Sequence, residues 1–247
     1  MATKIEGLAE FHVPGLAKPC QTWYTVIGDL HTSAAPPLIV LHGGPGACHD
    51  YLLPLTDLGP STAIVFYDQI GNGRSTHLPE KNGDENFWSV ELFINELDNL
   101  LSHLGLQDRP IDVYGHSWGG MLAAEWAAAQ PPNLRRLIIS NSLASMDAWR
   151  EGVNYLRQQL PAHDQKGLAH AEETLDFESS EYQDAVEVPT LLMNGVQDEA
   201  QDVAMQPFFD HLPGKVKWIT LDNAAHFSHV DQRKVYMRHL GAFLAGS

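Results

Sequence analysis

The sequence has little cysteine and little positive charge. Its 247 residues include only two cysteines, Cys20 and Cys48, which are too few for a disulfide framework and lack the spacing of a metal site. Lysine and arginine total 15 against 31 aspartates and glutamates, which gives a formal charge of −16. Because an acidic chain repels phosphate backbones and anionic lipids, we expect neither nucleic acid nor membrane as a partner.

Long hydrophobic runs and targeting signals are also missing. No stretch approaches 18 consecutive apolar residues, and the first residues, MATKIEGLAEFHVPG, lack the apolar core of a signal peptide. The sequence contains no internal repeat, charge block or low-complexity segment. We therefore predict a soluble, cytoplasmic protein. With 44% hydrophobic residues, its length suits one sizeable α/β domain.

Apolar runs alternate with helical patterns through most of the chain. Runs that predict strands include residues 37–41, 63–67, 110–114, 134–140 and 188–194, and the first two are apolar throughout, as is typical of buried strands. Their alternation with helices predicts a mostly parallel, doubly wound sheet with helices on both faces. The pattern changes over residues 143–187, where two amphipathic segments (148–160 and 165–174) lead into acidic, polar sequence. We predict a core of residues 1–142 and 188–247, with 143–187 as a short helical cap or lid.

One segment, Gly115-His116-Ser117-Trp118-Gly119, has the form Gly-x-Ser-x-Gly between a predicted strand and a predicted helix. In that context a serine is held exposed on a sharp, strained turn. Small residues are needed beside it, because a tight strand-to-helix crossing leaves no room for a Cβ atom at Gly115 or Gly119. The pattern alone also fits a glycine-rich turn with a surface serine, so the rest of the chain must decide.

A second glycine-rich segment, His42-Gly43-Gly44-Pro45-Gly46, directly follows a predicted buried strand. Its backbone N–H groups are free to point into a crevice at the carboxyl edge of the sheet. The segment lacks the Gly-Lys-Ser/Thr ending of a phosphate-binding loop and the G-x-G-x-x-G spacing of a dinucleotide site. An oxyanion hole fits better, with the N–H groups of Gly44 and Trp118 as donors.

A nucleophilic serine needs a base and an orienting carboxylate. In α/β-hydrolases the chain order is serine, acid, histidine, and Asp198 and His226 meet that order, each directly after a predicted strand. His229 is a rival base, but it lies nearer the final helix. Glu199 and Asp202 are rival acids, but Asp198 ends the strand most directly. We predict Ser117, Asp198 and His226 as a catalytic triad.

Asp68 is a further carboxylate at a predicted strand end. We favour a structural role for it, either accepting hydrogen bonds from loop N–H groups or pairing with Arg74. Epoxide hydrolase and dehalogenase chemistry is disfavoured, because those reactions need a carboxylate nucleophile where Ser117 stands.

Together these motifs resemble the proline iminopeptidase family of α/β-hydrolases, the peptidase S33 group. The matching segments read HGGPG (42–46), FYDQIGNGRS (66–75), GHSWGG (115–120), GVQDE (195–199) and NAAH (223–226). The resemblance implies an α/β-hydrolase fold and a serine hydrolase that forms an acyl-enzyme and needs neither metal nor organic cofactor. It also implies that Glu199 binds the free amino terminus of a small-molecule or short-peptide substrate and that Gly43 lies in the substrate site.

The chain departs from the family in its cap. Members carry a longer helical cap with a second amine-binding glutamate in an Asn-Gly-Pro-x-Glu-Phe type motif, which this sequence lacks. Three functions therefore remain open. They are an aminopeptidase or amidase that releases an N-terminal residue, an esterase, lactonase or amidase of small metabolites, and a binding protein with weak catalysis.

Overall fold

The computed structural model describes residues 3–30, 33, 35–161, 165 and 186–246 of the chain. Eight strands form its central sheet: β1 (Lys4–Phe11), β2 (Cys20–Ile27), β3 (Leu38–Leu41), β4 (Ile64–Tyr67), β5 (Ile111–His116), β6 (Leu134–Ser140), β7 (Thr190–Gly195) and β8 (Val216–Leu221). Their order across the sheet is β1-β2-β4-β3-β5-β6-β7-β8. The first two strands pair antiparallel with their neighbours, and all other pairs are parallel.

The described helices lie between and after these strands. They are α1 (Val90–His103), α2 (Trp118–Ala128), α3 (Met146–Arg157), α4 (Asp202–His211), α5 (Ser228–Asp231) and α6 (Arg233–Ala245), with 3₁₀ helices at His49–Leu58 and Pro79–Lys81. The first of these 3₁₀ helices contains Pro54, which has no N–H group to donate to a helical hydrogen bond.

Two apolar cores, one on each face of the sheet, hold the layers together. Along β3, Ile39 and Leu41 join the core that contains side chains of α1, α2 and α4. Leu38 and Val40 point the other way, into the core built with the first 3₁₀ helix and α6. Since successive strand residues face opposite sides, a continuous apolar run is what a strand covered on both faces requires. The predicted mostly parallel, doubly wound sheet with helices on both faces is confirmed.

The proposed cap is described only in part. Helix α3 begins close to the predicted start of the first amphipathic segment and ends three residues before its predicted end. Residues 162–164 and 166–185 lie outside the described part of the chain, and with them most of the second predicted helix and the acidic stretch. The division into core and cap therefore stays a prediction.

The crossing of β5 and α2 is the tightest packing near the predicted nucleophile. A Cβ atom added to Gly115 would overlap the carbonyl oxygen of Gly119, and one added to Gly119 would overlap the carbonyl oxygens of Leu41 and His42. Both overlaps are with backbone, which cannot rotate away. Glycine is therefore required at both positions, as the sequence predicted.

We expect Gly115→Ala to lower the free energy of unfolding by about 2–3 kcal/mol, because the added methyl group forces the strand and the helix apart. The matched control is Gly241→Ala in α6, where an added Cβ would meet only Leu58 Cδ2 at 3.7 Å. This control should gain about 0.5–1 kcal/mol from helix propensity. Urea unfolding measures both, and equal effects at the two sites would contradict the packing argument.

Glu96 of α1 is fully buried and ties three parts of the fold together. Its Oε1 accepts hydrogen bonds from the Thr22 hydroxyl at 2.5 Å and from the Ile70 N–H at 3.0 Å. Burial raises the pKa of Glu96 to about 8, since removing a carboxylate from water outweighs the effect of these hydrogen bonds. At neutral pH the folded protein therefore favours the protonated acid.

This raised pKa makes stability depend on pH. Between the ordinary glutamate pKa of 4.5 and about 8 the folded state binds a proton that the unfolded state has released, so this contribution to stability is lost as pH rises through that window. Glu96→Gln should flatten the fall in stability, because glutamine mimics the protonated acid. Urea unfolding across pH measures this, with the exposed Glu85→Gln as control. An unchanged slope in Glu96→Gln would refute the assignment.

Candidate active site

Ser117 occupies the turn between β5 and α2 in a strained backbone conformation. Its φ is 55° and its ψ is −125°, a region that residues with a side chain rarely adopt. The turn is fixed by hydrogen bonds from the Ser117 N–H to the Ser140 carbonyl at 3.0 Å and from the Gly120 N–H to the Ser117 carbonyl at 2.8 Å. Within the described part of the chain the serine hydroxyl has no hydrogen-bond partner. It is thus presented at the N-terminus of α2, free to meet a ligand.

Asp198 and His226 form the pair that the sequence predicted. Asp198 follows β7 and is fully buried, and its Oδ1 accepts a hydrogen bond from Nδ1 of His226 at 2.8 Å. The same oxygen accepts the Ala200 N–H at 3.0 Å. With Nδ1 carrying the proton, the neutral imidazole of His226 has its lone pair on Nε2. The parallel strands bring both loops to the sheet edge that carries Ser117.

Asn141, at the end of β6, holds this pair in place. Its amide Nδ2 donates to Asp198 Oδ2 at 2.6 Å and to the Ala225 carbonyl at 3.0 Å, so it bridges the loop of the acid and the loop of the base. Its Oδ1 accepts from the hydroxyls of Ser140 and Ser228. Sequence reasoning missed this residue. Its position directly after a predicted strand was the only signal in the sequence. In the structure its φ is 49°, which asparagine tolerates better than most residues.

The charges of two carboxylates set the pKa of His226. Burial alone would lower it, but the hydrogen bond and charge of Asp198, with a smaller effect from the charge of Glu199, raise it above the usual value. Glu199 Oε1 lies 3.9 Å from His226 Nε2, and the Glu199 side chain is 53% exposed. The structure therefore brings the predicted amine-binding carboxylate to the edge of the site.

The rival residues make other contacts. His229 lies in α5, and its Nε2 donates to the Tyr51 carbonyl at 2.9 Å. Asp202 Oδ1 accepts from the side-chain amide of Asn194 at 2.8 Å. The pairing that a base and its orienting acid require is therefore made by His226 and Asp198.

The glycine-rich loop after β3 lies directly against the serine. A Cβ atom placed on Gly43 would stand 3.0 Å from Ser117 Cβ. Gly44 has a φ of 124°, which only glycine adopts without strain. Among the described residues no group accepts the N–H of Gly44 or of Trp118, whereas the Gly43 N–H donates to the Tyr51 hydroxyl at 2.6 Å. The two predicted oxyanion donors are thus free, and Gly43 contributes close approach rather than its N–H.

Gln69 ties both halves of this potential oxyanion hole together, and sequence reasoning did not single it out. Its backbone N–H donates to His42 Nε2 at 3.0 Å and its side-chain amide donates to the His42 carbonyl at 3.1 Å. Its Oε1 accepts the indole N–H of Trp118 at 3.0 Å. Gln69 therefore fixes the loop of one donor and the side chain of the other.

Asp68 binds groups of the neighbouring loops and none of the residues of the predicted triad. Its carboxylate accepts the backbone N–H groups of His49 and Arg74, each at 2.9 Å, and pairs with the His49 ring at 2.8 Å. This matches the structural role that we favoured for it. The guanidinium of Arg74 instead pairs with Glu6 at 3.3 Å, so the suggested side-chain pairing with Asp68 is not made.

Helix α3 lies beside the acid loop. A Cβ atom placed on Gly152 would meet Gln201 Cγ at 3.0 Å and the Glu199 carbonyl at 3.5 Å. A cleft of about 460 Å³ opens next to this contact, between Tyr155 of α3 and Val196 of the loop after β7. The start of the proposed cap thus touches the loop that carries Asp198 and Glu199.

The described residues contain no group of three or more His, Cys, Asp or Glu side chains placed to hold a metal ion. None of the helices among them has the length and apolar character needed to cross a membrane.

The electrostatics of the site give a direct test. Glu199→Gln should lower the pKa of His226, because it removes a nearby negative charge, and Asp198→Asn should lower it further, because it removes a charge and weakens a hydrogen bond. NMR titration of the imidazole, assigned by its loss in His226→Asn, measures both. Glu125→Gln, an exposed carboxylate on α2, controls for net charge. A His226 pKa that stays constant in all three variants would contradict the geometry.

Comparison with known proteins places this geometry in a family. The family model described as the alpha/beta hydrolase fold matches residues 36–177. A proline iminopeptidase of Lactiplantibacillus plantarum is 26% identical over 286 residues, covering 91% of this chain and 97% of that protein. That alignment is longer than the 247 residues of this chain, so the relative carries insertions.

Two crystal structures match the chain over nearly its whole length. The structure of VinJ is 32% identical, with a TM-score of 0.85 and coverage of 98% of both chains. The proline iminopeptidase of Mycobacterium smegmatis is 28% identical, with a TM-score of 0.83 and the same coverage. On this evidence the chain belongs to the proline iminopeptidase (peptidase S33) family of α/β-hydrolases.

Proposed function

We propose that this hydrolase uses Ser117 as a nucleophile and forms an acyl-enzyme. The observation that carries the proposal is the 2.8 Å hydrogen bond between His226 Nδ1 and buried Asp198, at the sheet edge where Ser117 stands on its strained turn. A histidine held by a carboxylate within reach of a serine is the arrangement that activates a hydroxyl for attack on a carbonyl carbon.

The proposed reaction runs in two stages. His226 Nε2 takes the Ser117 proton as the oxygen attacks, and the imidazolium is stabilised by Asp198. The N–H groups of Gly44 and Trp118 then bind the developing oxyanion, an effect worth about 3–4 kcal/mol for one such donor. His226 gives its proton to the leaving group, and water activated by the same imidazole releases the acyl group. The proposal includes a hydrogen bond between the Ser117 hydroxyl and His226 Nε2, since catalytic hydrogen bonds of this kind often tighten only when substrate is bound.

For the substrate we propose a small amide or short peptide with a free amino terminus. Glu199 supports this, since its carboxylate lies 3.9 Å from His226 Nε2, where it would pair with an α-ammonium close to the scissile bond. The relatives named proline iminopeptidase support the same class of reaction. The release of an N-terminal residue, and the cytoplasmic location, are parts of this proposal.

A second candidate is an esterase, lactonase or amidase without amine recognition. It is favoured by the exposure of Glu199, whose side chain remains 53% accessible instead of being enclosed around an ammonium group. Water screens such an exposed carboxylate, which weakens its pull on an ammonium group. The same serine, histidine and oxyanion donors would serve this reaction.

The first test is covalent labelling by a fluorophosphonate probe. Wild-type protein should label stoichiometrically, and Ser117→Ala should lose labelling and at least about 10⁴-fold in kcat/KM on any substrate found. The control is Ser142→Ala, which removes the hydroxyl that donates to the Ser117 carbonyl but leaves the Ser117 hydroxyl itself. Absence of labelling in folded wild-type protein would refute the hydrolase proposal and favour a binding protein.

The second test separates the two substrate classes. Turnover is compared for L-proline 4-nitroanilide, its N-acetylated form and 4-nitrophenyl acetate. Amine recognition predicts a preference for the free amine, and Glu199→Gln should raise KM about 10-fold for that substrate alone. Equal kinetics on free and blocked anilides, unaffected by Glu199→Gln, would establish the second candidate instead.

A further inference from the structure

A chain of hydrogen bonds links the glycine-rich loop to the loop of His226 through His116, the residue before Ser117. The Gly43 N–H and the Tyr51 hydroxyl oxygen are 2.6 Å apart, and that hydroxyl lies 3.1 Å from His116 Nδ1. On the other side of the ring, His116 Nε2 lies 2.8 Å from the carbonyl oxygen of His226. These bonds connect the three backbone segments on which the proposed chemistry depends, and no catalytic role assigned above uses them.

The direction of each bond follows from its end points. A carbonyl oxygen can only accept, so His116 Nε2 carries the proton and His116 Nδ1 is the acceptor in the neutral ring. The Tyr51 hydroxyl must then donate to Nδ1 and accept the Gly43 N–H. Burial, with the nearby rings of His226 and His229, lowers the pKa of His116 well below its usual value. The neutral ring that this arrangement requires is thus the stable form.

Tyr51 is itself held from several sides. Its backbone carbonyl accepts the Nε2–H of His229 at 2.9 Å, and its ring packs edge-on against Phe227 with centroids 5.4 Å apart. Phe227 in turn stacks on His116, with centroids 5.8 Å apart and planes 9° from parallel. Because these contacts fix the Tyr51 ring, its hydroxyl oxygen accepts the Gly43 N–H at one defined position.

We propose that Tyr51 and His116 are positioning residues that set the oxyanion loop and the His226 loop at a fixed separation around Ser117. By binding the N–H of Gly43, Tyr51 orients the next peptide group, so that the N–H of Gly44 is turned toward the serine. By binding the carbonyl of His226, His116 keeps the imidazole aligned with Asp198. This inference rests on the proposed serine hydrolase function but assigns residues that the reaction itself does not touch.

The bond between Tyr51 and the glycine-rich loop is tested by Tyr51→Phe, which keeps the ring and removes the hydroxyl. We expect the acylation rate with 4-nitrophenyl acetate in single turnover to fall about 10- to 100-fold. The substrate concentration that gives half the maximal rate should change less than about twofold, because a misplaced donor affects the transition state more than substrate binding. Amide hydrogen exchange at Gly43 should quicken. The control is Tyr24→Phe, which removes the hydroxyl of a tyrosine–histidine pair on the surface, 3.3 Å from His103.

The bond between His116 and the His226 carbonyl is tested by His116→Asn. The shorter amide can still accept a hydrogen bond from Tyr51 but cannot reach the His226 carbonyl. The pKa of His226 should fall in this variant, since a loosened imidazole loses part of its bond to Asp198. The charged and titratable groups that face His226 are Asp198 and Glu199 from the acid loop, His116 from β5 and His229 from α5. The NMR titration used for His226 measures the shift and needs no turnover.

The possible outcomes separate this inference from the proposed function. A wild-type protein that reacts with fluorophosphonate, together with an unchanged acylation rate in folded Tyr51→Phe, would overturn the oxyanion half of the inference and leave the hydrolase intact. An unchanged His226 pKa in His116→Asn would overturn the other half. If wild-type protein fails to label, the proposed function fails, whereas Gly43 exchange and the His226 titration still decide whether the linkage exists. Should Tyr51→Phe not fold, His116→Asn still provides its test.

Discussion

The contact between β5 and α2 is the constraint on which the rest of the site depends. Backbone meets backbone there, because Gly115 and Gly119 leave no side chain between the strand and the helix. The chain can turn so sharply only if one residue takes up a rare backbone conformation, and that residue is Ser117. Such a conformation costs about 1–3 kcal/mol and persists only because the surrounding packing leaves no alternative. The position of the hydroxyl at the N-terminus of α2 is a consequence of this packing.

The parallel order of β3 to β8 supplies the other groups. Each of these strands ends at the same edge, so the loops after β3, β5, β6, β7 and β8 meet there although they are far apart in sequence. Polar side chains then fix one loop to the next. Asn141 joins the loop of Asp198 to that of His226, and Gln69 joins the glycine-rich loop to Trp118. The geometry of the site is set by these bridges as much as by the strands.

The sequence predicted those parts of the site that carry a local signal. Ser117 stands in a motif and Gly44 in a glycine-rich break, while Asp198 and His226 directly follow apolar runs in the chain order serine, acid, histidine. Tyr51, Gln69 and Asn141 escaped prediction because each acts through partners on other loops, and nothing in their own neighbourhood reveals those partners.

The three histidines of the site show how environment divides roles among identical side chains. The ring centroid of His116 lies 5.0 Å from that of His226 and 5.2 Å from that of His229. Burial lowers the pKa of an imidazole, and it acts on all three rings. Only His226 bonds a carboxylate, and only its pKa is raised. His116 and His229 donate to neutral carbonyls, which do not offset burial to the same extent. Since two of the three rings stay neutral, they do not add positive charges to oppose protonation of the third. The difference between His226 and the other two rings therefore follows from which oxygen each ring meets.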